Sequence, residues 1–93
     1  MVKHIVFFKL NDNSQENKEK VKNKLLSMDG EIDILRGIEV GINFAQEERA
    51  YDIALITEFD SKEDLKAYAS HPFHQKIISY MKSSAKSSKV VDF

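Results

Sequence analysis

The chain contains no cysteine and no tryptophan, a single proline and only three glycines. Without cysteine there is neither a disulfide framework nor a thiolate metal site. That composition suits a reducing compartment, and a cytoplasmic location is the expectation. Excess charge of one sign is missing as well: 14 Lys and Arg against 15 Asp and Glu leave a net charge of −1. No broad basic field is available for a phosphate backbone, so nucleic acid is not an expected partner. No stretch approaches the ~20 consecutive apolar residues of a membrane span. The apolar N-terminal run, with Lys3 inside it, is too short and too often interrupted to read as a signal peptide. A membrane is therefore not expected as a partner, and no motif asks for a cofactor. One domain over residues 1–93 is the expected organisation, without repeats. A chain of this size buries only about 60–65% of its unfolded surface, so its core is small.

What the chain does have is concentrated in one segment, Tyr68-Ala-Ser-His71-Pro72-Phe73-His74. A phenol and two imidazoles fall close together there, with the only proline fixing the backbone between them. The third histidine, His4, lies in an apolar N-terminal stretch. Histidine is the side chain most easily poised to move protons near neutral pH, so any chemistry belongs here.

Met1–Leu10 is rich in β-branched and aromatic residues, as strands are. Its faces read Val2/His4/Val6/Phe8/Leu10 and Lys3/Ile5/Phe7/Lys9, and neither is wholly polar. Asn13 or Ser14 can cap a helix over Gln15–Met28, in which Val21, Leu25 and Met28 recur at helical spacing. Lys18, Lys20, Lys22 and Lys24, interleaved with Glu16 and Glu19, form its solvated face. Asp29-Gly30 ends it with the residue that best accepts a left-handed cap. A second strand runs from Ile34 or Gly37 to Asn43, the loop Ala45–Ala50 follows, and a third strand covers Tyr51–Phe59 with both faces largely apolar. Ser61-Lys-Glu-Asp64 signals the start of a short helix carrying Leu65 and Tyr68. Pro72 interrupts it and opens another, to about Lys82, that buries Phe73, Ile77 and Tyr80 or Met81. Lys82–Lys89 reads as a solvated serine- and lysine-rich connector, and Val90–Phe93 as a last short strand.

This order is that of a split βαβ arrangement, an α+β fold of the ferredoxin-like kind: a four-stranded antiparallel sheet with helices on one face. Helices on one face leave Ile5, Phe7, Ala54 and Ile56 of the other face bare in a monomer. Apolar patches of that extent mark interfaces. Two copies packed sheet to sheet would cover the patch, and a homodimer is the expectation.

The whole chain resembles the Dabb family, the stress-responsive α/β-barrel domains. The resemblance is carried by the opening Val2-Lys-His4-Ile-Val-Phe-Phe-Lys9, by Gly41-Ile-Asn43 and by Tyr51-Asp-Ile-Ala-Leu-Ile-Thr-Glu-Phe59. To these are added Ser61-Lys-Glu-Asp-Leu-Lys-Ala-Tyr68 running into His71-Pro72-Phe-His74, and Val91-Asp92-Phe93 at the end. The resemblance implies a ferredoxin-like protomer that dimerises through its sheets into an α/β barrel. An enzymatic member of the family, a plant polyketide cyclase, closes a linear tetraketide by intramolecular aldol condensation. By that resemblance His74 would act as base with Tyr68 assisting, and His4 would line the pocket. At the third-strand position where that enzyme has a pocket histidine, this chain has Ile53.

An aldol closure needs a base to take a proton next to a carbonyl and a donor for the developing enolate oxygen, and an imidazole beside a phenol in a dry pocket supplies both. Structural roles stand beside the chemical ones. His71 would cap the helix opened by Pro72, and Tyr68 would be a core residue with its hydroxyl on a backbone partner. His74 and His4 would bond each other or a buried carbonyl. A metal site is the weaker reading: two histidines at i, i+3 need Glu58 or Asp64 brought round to complete a ligand set. Asn11-Asp-Asn13 lacks the glycine and terminal glutamate of a calcium loop. Three functions follow. In the first, a small apolar or aromatic molecule binds a pocket lined by His4, Val6, Phe8, Val21, Leu25, Leu55, Tyr68, His71 and His74. In the second, the same pocket is the active site of a polyketide-cyclase-like enzyme. In the third, it is merely a packed core in a stress or stability protein without ligand.

Overall fold

Alternating side chains decide the sheet. In the computed structural model, which describes residues 1–93, β1 (Val2–Leu10) sends His4, Val6, Phe8 and Leu10 to one face and Lys3, Ile5, Phe7 and Lys9 to the other. It pairs antiparallel on one side with β3 (Ile53–Phe59), Val6 opposite Leu55, and on the other with β4 (Ala85–Asp92), Val6 opposite Val90. β2 (Gly37–Ile42) completes the sheet in the order β2-β3-β1-β4, with Val40 opposite Leu55. This is the ferredoxin-like α+β fold.

Three helices lie on the face that carries Val6, Phe8, Ile53, Leu55 and Phe59. The first, α1 (Gln15–Leu26), starts at Ser14, whose hydroxyl accepts from the Asn17 N–H at 3.3 Å. It buries Val21 and Leu25. Its last turn unwinds two residues before the expected Met28, and the chain leaves through Gly30 at φ +81°, a left-handed conformation that glycine adopts without strain. α2 (Lys62–Ser70) starts at Ser61, whose hydroxyl accepts from the Asp64 N–H at 3.1 Å, and α3 (Pro72–Ser84) follows after the break at His71. Leu10, Met28, Ile32, Ile77 and Met81 join the strand residues in one core.

One expected element is corrected. Residues 85–89 are not a connector but the first half of β4, and α3 runs on to Ser84. The serines and lysines there are those of an edge strand: β4 has a hydrogen-bonded neighbour only in β1, and charged side chains keep its free edge from pairing with other chains. The third strand also begins at Ile53 rather than Tyr51. On the sheet face without helices, Ile5 lies opposite Ile56 and Val91, and Phe7 opposite Ala54. Phe7 is 42% exposed, Val91 57% and Phe93 66%, an apolar surface that the protomer itself does not cover.

Candidate functional site

The break between α2 and α3 sets the chemistry of the site. Pro72 has no N–H and pushes His71 to an extended φ/ψ, so α2 stops and its last carbonyls lose their helical donors. The Phe73 N–H, which would have answered Ala69 in a continuous helix, instead donates to His71 Nδ1 at 3.0 Å. The freed Ala69 carbonyl accepts from His74 Nδ1 at 3.1 Å and from the Gln75 amide at 2.7 Å. A carbonyl can only accept, so this contact puts the His74 proton on Nδ1 and leaves Nε2 with its lone pair free. Burial lowers the pKa of His74, further reduced by the charges of His4 and His71, although the bond to Ala69 works in the opposite sense. The side chain is therefore a neutral imidazole with one basic nitrogen.

Tyr68 sits beside it, the ring centroids 4.0 Å apart, and packs on its other side against Phe59 at 4.8 Å. It is 1% exposed, and burial pushes its hydroxyl well above the ordinary tyrosine range. A phenol so placed keeps its proton and can donate it in a hydrogen bond. Its partner is the sulfur of Met28 at 3.5 Å, a weak acceptor that a ligand oxygen can replace. The His4 ring lies edge-on to Tyr68, with centroids 6.2 Å apart. Across the β1–β4 ladder His4 faces Asp92, and its Nδ1 pairs with that carboxylate, which fixes the imidazole orientation.

Below these three rings is a cavity of about 400 Å³. Val6, Phe8 and Leu55 from the sheet and Leu25, Met28, Ile77, Ile78 and Met81 from the helical layer give it apolar walls, and His4, Tyr68 and His74 close one end. The opposite end is formed by exposed residues, Lys82 and Lys86 with Ser87 and Ser88. Two residues expected in the lining lie elsewhere. Val21 is fully buried in the core, and His71 is the α3 cap. Ile53 is buried opposite Phe8 and does not reach the cavity.

Glu58 is on the far face of the sheet, 3.9 Å from Lys3, and Asp64 is in the first turn of α2. No three His, Cys, Asp or Glu side chains gather as a metal would require. Thr57 is the only buried polar side chain, and its hydroxyl donates to the His4 carbonyl at 3.3 Å. Sequence reasoning missed the Asp92 partner of His4, the Ala69 carbonyl, Met28 as a wall and the two lysines at the mouth. Of these only Asp92 left a signal, as an acid directly after the apolar pair Val90-Val91.

Comparison with known proteins gives a consistent picture. A family model described as the stress responsive A/B barrel domain matches residues 2–93. An uncharacterised protein of Streptomyces coelicolor is 35% identical over 78 residues, 81% of this chain and 80% of that one. A crystal structure from Bacteroides fragilis, a dimeric protein of unknown function with a ferredoxin-like fold, is 37% identical. It aligns over 99% of this chain and 93% of its own, with a TM-score of 0.79. A dimeric ferredoxin-like protein of unknown function from Thermobifida fusca is 24% identical over 99% of this chain and 88% of its own, and shares the fold with a TM-score of 0.83.

Proposed function

Since the chain belongs to the stress-responsive A/B barrel (Dabb) family, we propose that it works as a homodimer, each protomer binding a small apolar or aromatic molecule between sheet and helices. The observation that carries this reading is the cavity of about 400 Å³ at the foot of Tyr68 and His74. Its volume falls within the range of small-molecule sites, and its make-up matches theirs: mostly apolar walls with a few convergent polar groups. The dimer rests on the uncovered Ile5, Phe7 and Ile56 surface and on the dimeric relatives. A cytoplasmic home, argued from the lack of cysteine, belongs to the same proposal.

Native mass spectrometry of freshly purified protein tests it. A dimer carrying additional small-molecule mass is the expected result. A monomer would remove the sheet-to-sheet assembly. A bare dimer that is also not stabilised against heat by any of a panel of small aromatic and aliphatic compounds would remove the ligand.

One observation favours a second reading, catalysis. The His74 tautomer set by Ala69 leaves Nε2 as a base in reach of the same cavity into which Tyr68 brings a protonated hydroxyl. Such a pair serves proton abstraction next to a carbonyl, as in an aldol closure of the polyketide-cyclase kind. His74 Nε2 would take the proton and the Tyr68 hydroxyl would hold the enolate oxygen. The two readings part on His74→Ala. A catalyst loses turnover by a factor of about 10² or more, whereas a binding protein loses affinity only.

A further inference from the structure

The two ends of the cavity differ in chemistry, and the difference specifies the ligand. Rings of His4, Tyr68 and His74 close one end, and Lys82 and Lys86 stand at the other. Among the sixteen lining residues there is no aspartate or glutamate, in a chain whose charges otherwise nearly balance. Neither lysine takes part in an ion pair; Lys3, Arg36 and Arg49 do, and Asp92 is taken by His4. Lys86 also borders a polar depression shared with Asp52 and Glu47, but these are engaged elsewhere. Asp52 accepts from the Leu10 N–H at 2.7 Å, and Glu47 binds Arg49 at 2.6 Å.

Backbone geometry brings both ammonium groups to the mouth. His74, Ile78 and Lys82 follow one another at i, i+4 and i+8 along α3, so they share one helix face. A rise of 1.5 Å per residue places Lys82 about 12 Å along the axis from His74. Lys86 is the extra residue of a β-bulge, because β4 goes from Ala85 opposite Leu10 to Ser87 opposite Lys9. A bulge turns a side chain out of the regular alternation, and such irregularities recur beside binding sites.

We propose that the ligand is an amphiphilic carboxylic acid: an aromatic or carbonyl-bearing head against Tyr68 and His74, an apolar linker along Phe8, Ile78 and Met81, and a carboxylate held by Lys82 and Lys86. This rests on the cavity being a ligand site, and it adds the charge and the polarity of the ligand to that reading. The two lysines are flexible point charges rather than a rigid fork, so they select a negative charge at the mouth more than a particular geometry.

Calorimetric titration of the intact protein with phenylhexanoate and with the matching alcohol, phenylhexanol, separates the two claims. At low ionic strength the acid is expected to bind about tenfold more tightly than the alcohol, as two exposed charge contacts together allow. Added salt erodes that advantage. The exposed pair Lys82→Gln and Lys86→Gln together should abolish it, bringing the acid's affinity down to that of the alcohol for the same variant. Equal binding of acid and alcohol by the wild-type protein overturns the carboxylate and keeps the cavity. So does an acid preference that survives the double substitution. Absence of binding by either probe overturns both claims at once.

Discussion

Tyr68 and His74 are held in opposite protonation roles by one cause, removal from water. Burial raises the phenol and lowers the imidazole, because each is costlier to hold charged inside the protein. For His74 this has a measurable sign. The unfolded chain takes up its proton near the ordinary histidine value of about 6.5, and the folded chain only at lower pH. The stability that neutral His74 contributes is therefore complete above that value and is lost as pH falls towards the depressed folded pKa. Thermal melts of His74→Asn should show a flatter loss of stability on acidification below about pH 6.5 than the wild type; parallel slopes would contradict the assignment. Tyr68→Phe keeps the packing on Phe59 and His74 and removes only the weak bond to Met28. Chemical denaturation should show a loss of about 1 kcal/mol or less, while ligand affinity or turnover falls. The residues of this cluster were legible in the sequence, and so was the capping role of His71. The partners were not, because Asp92 reaches His4 through strand pairing and Ala69 is an alanine whose contribution is its carbonyl.

At the level of elements, caps were readable and polar strands were not. Ser14 and Ser61 each sit where their local chemistry placed them, since capping depends on neighbours in sequence; Gly30 takes its left-handed conformation in the turn beyond α1, whose C-cap is Ser27. Ser61→Ala removes the acceptor for the Asp64 N–H and should cost about 1 kcal/mol, read as a shift in the denaturation midpoint. Ala85–Lys89 escaped recognition because its side chains carry no alternation; its strand geometry comes from the backbone ladder to β1, a partner more than 70 residues away in sequence. The same polarity that hid the strand supplies the lysine at the mouth of the cavity. The two-residue excess assigned to α1 has a local origin too. Met28 is fully buried, and it reaches the core from the turn beyond the helix rather than from its last helical face.

The whole molecule presents two surfaces of one four-stranded sheet, a helix-covered face with the cavity and an uncovered apolar face. The second was legible from the sequence as soon as both sides of β1 and β3 proved apolar, and the relatives that match this chain include dimers. Phe7→Glu, at the centre of that face opposite Ala54, puts an unpaired charge into any sheet-to-sheet contact. Sedimentation should show a folded monomer with unchanged secondary structure; a dimer that survives would mean association through some other surface.

Because the sheet is one strand thick, each residue step along β1 changes which of the two surfaces is touched. His4, Val6 and Phe8 belong to the cavity, and Ile5 and Phe7 to the outer face between them. A substitution scan along this single strand should thus give an alternating record. Positions 4, 6 and 8 would alter ligand affinity at constant molecular mass, and positions 5 and 7 would alter molecular mass. Neighbouring codons would answer to different selective demands, so tolerated changes along β1 should follow the same two-residue beat.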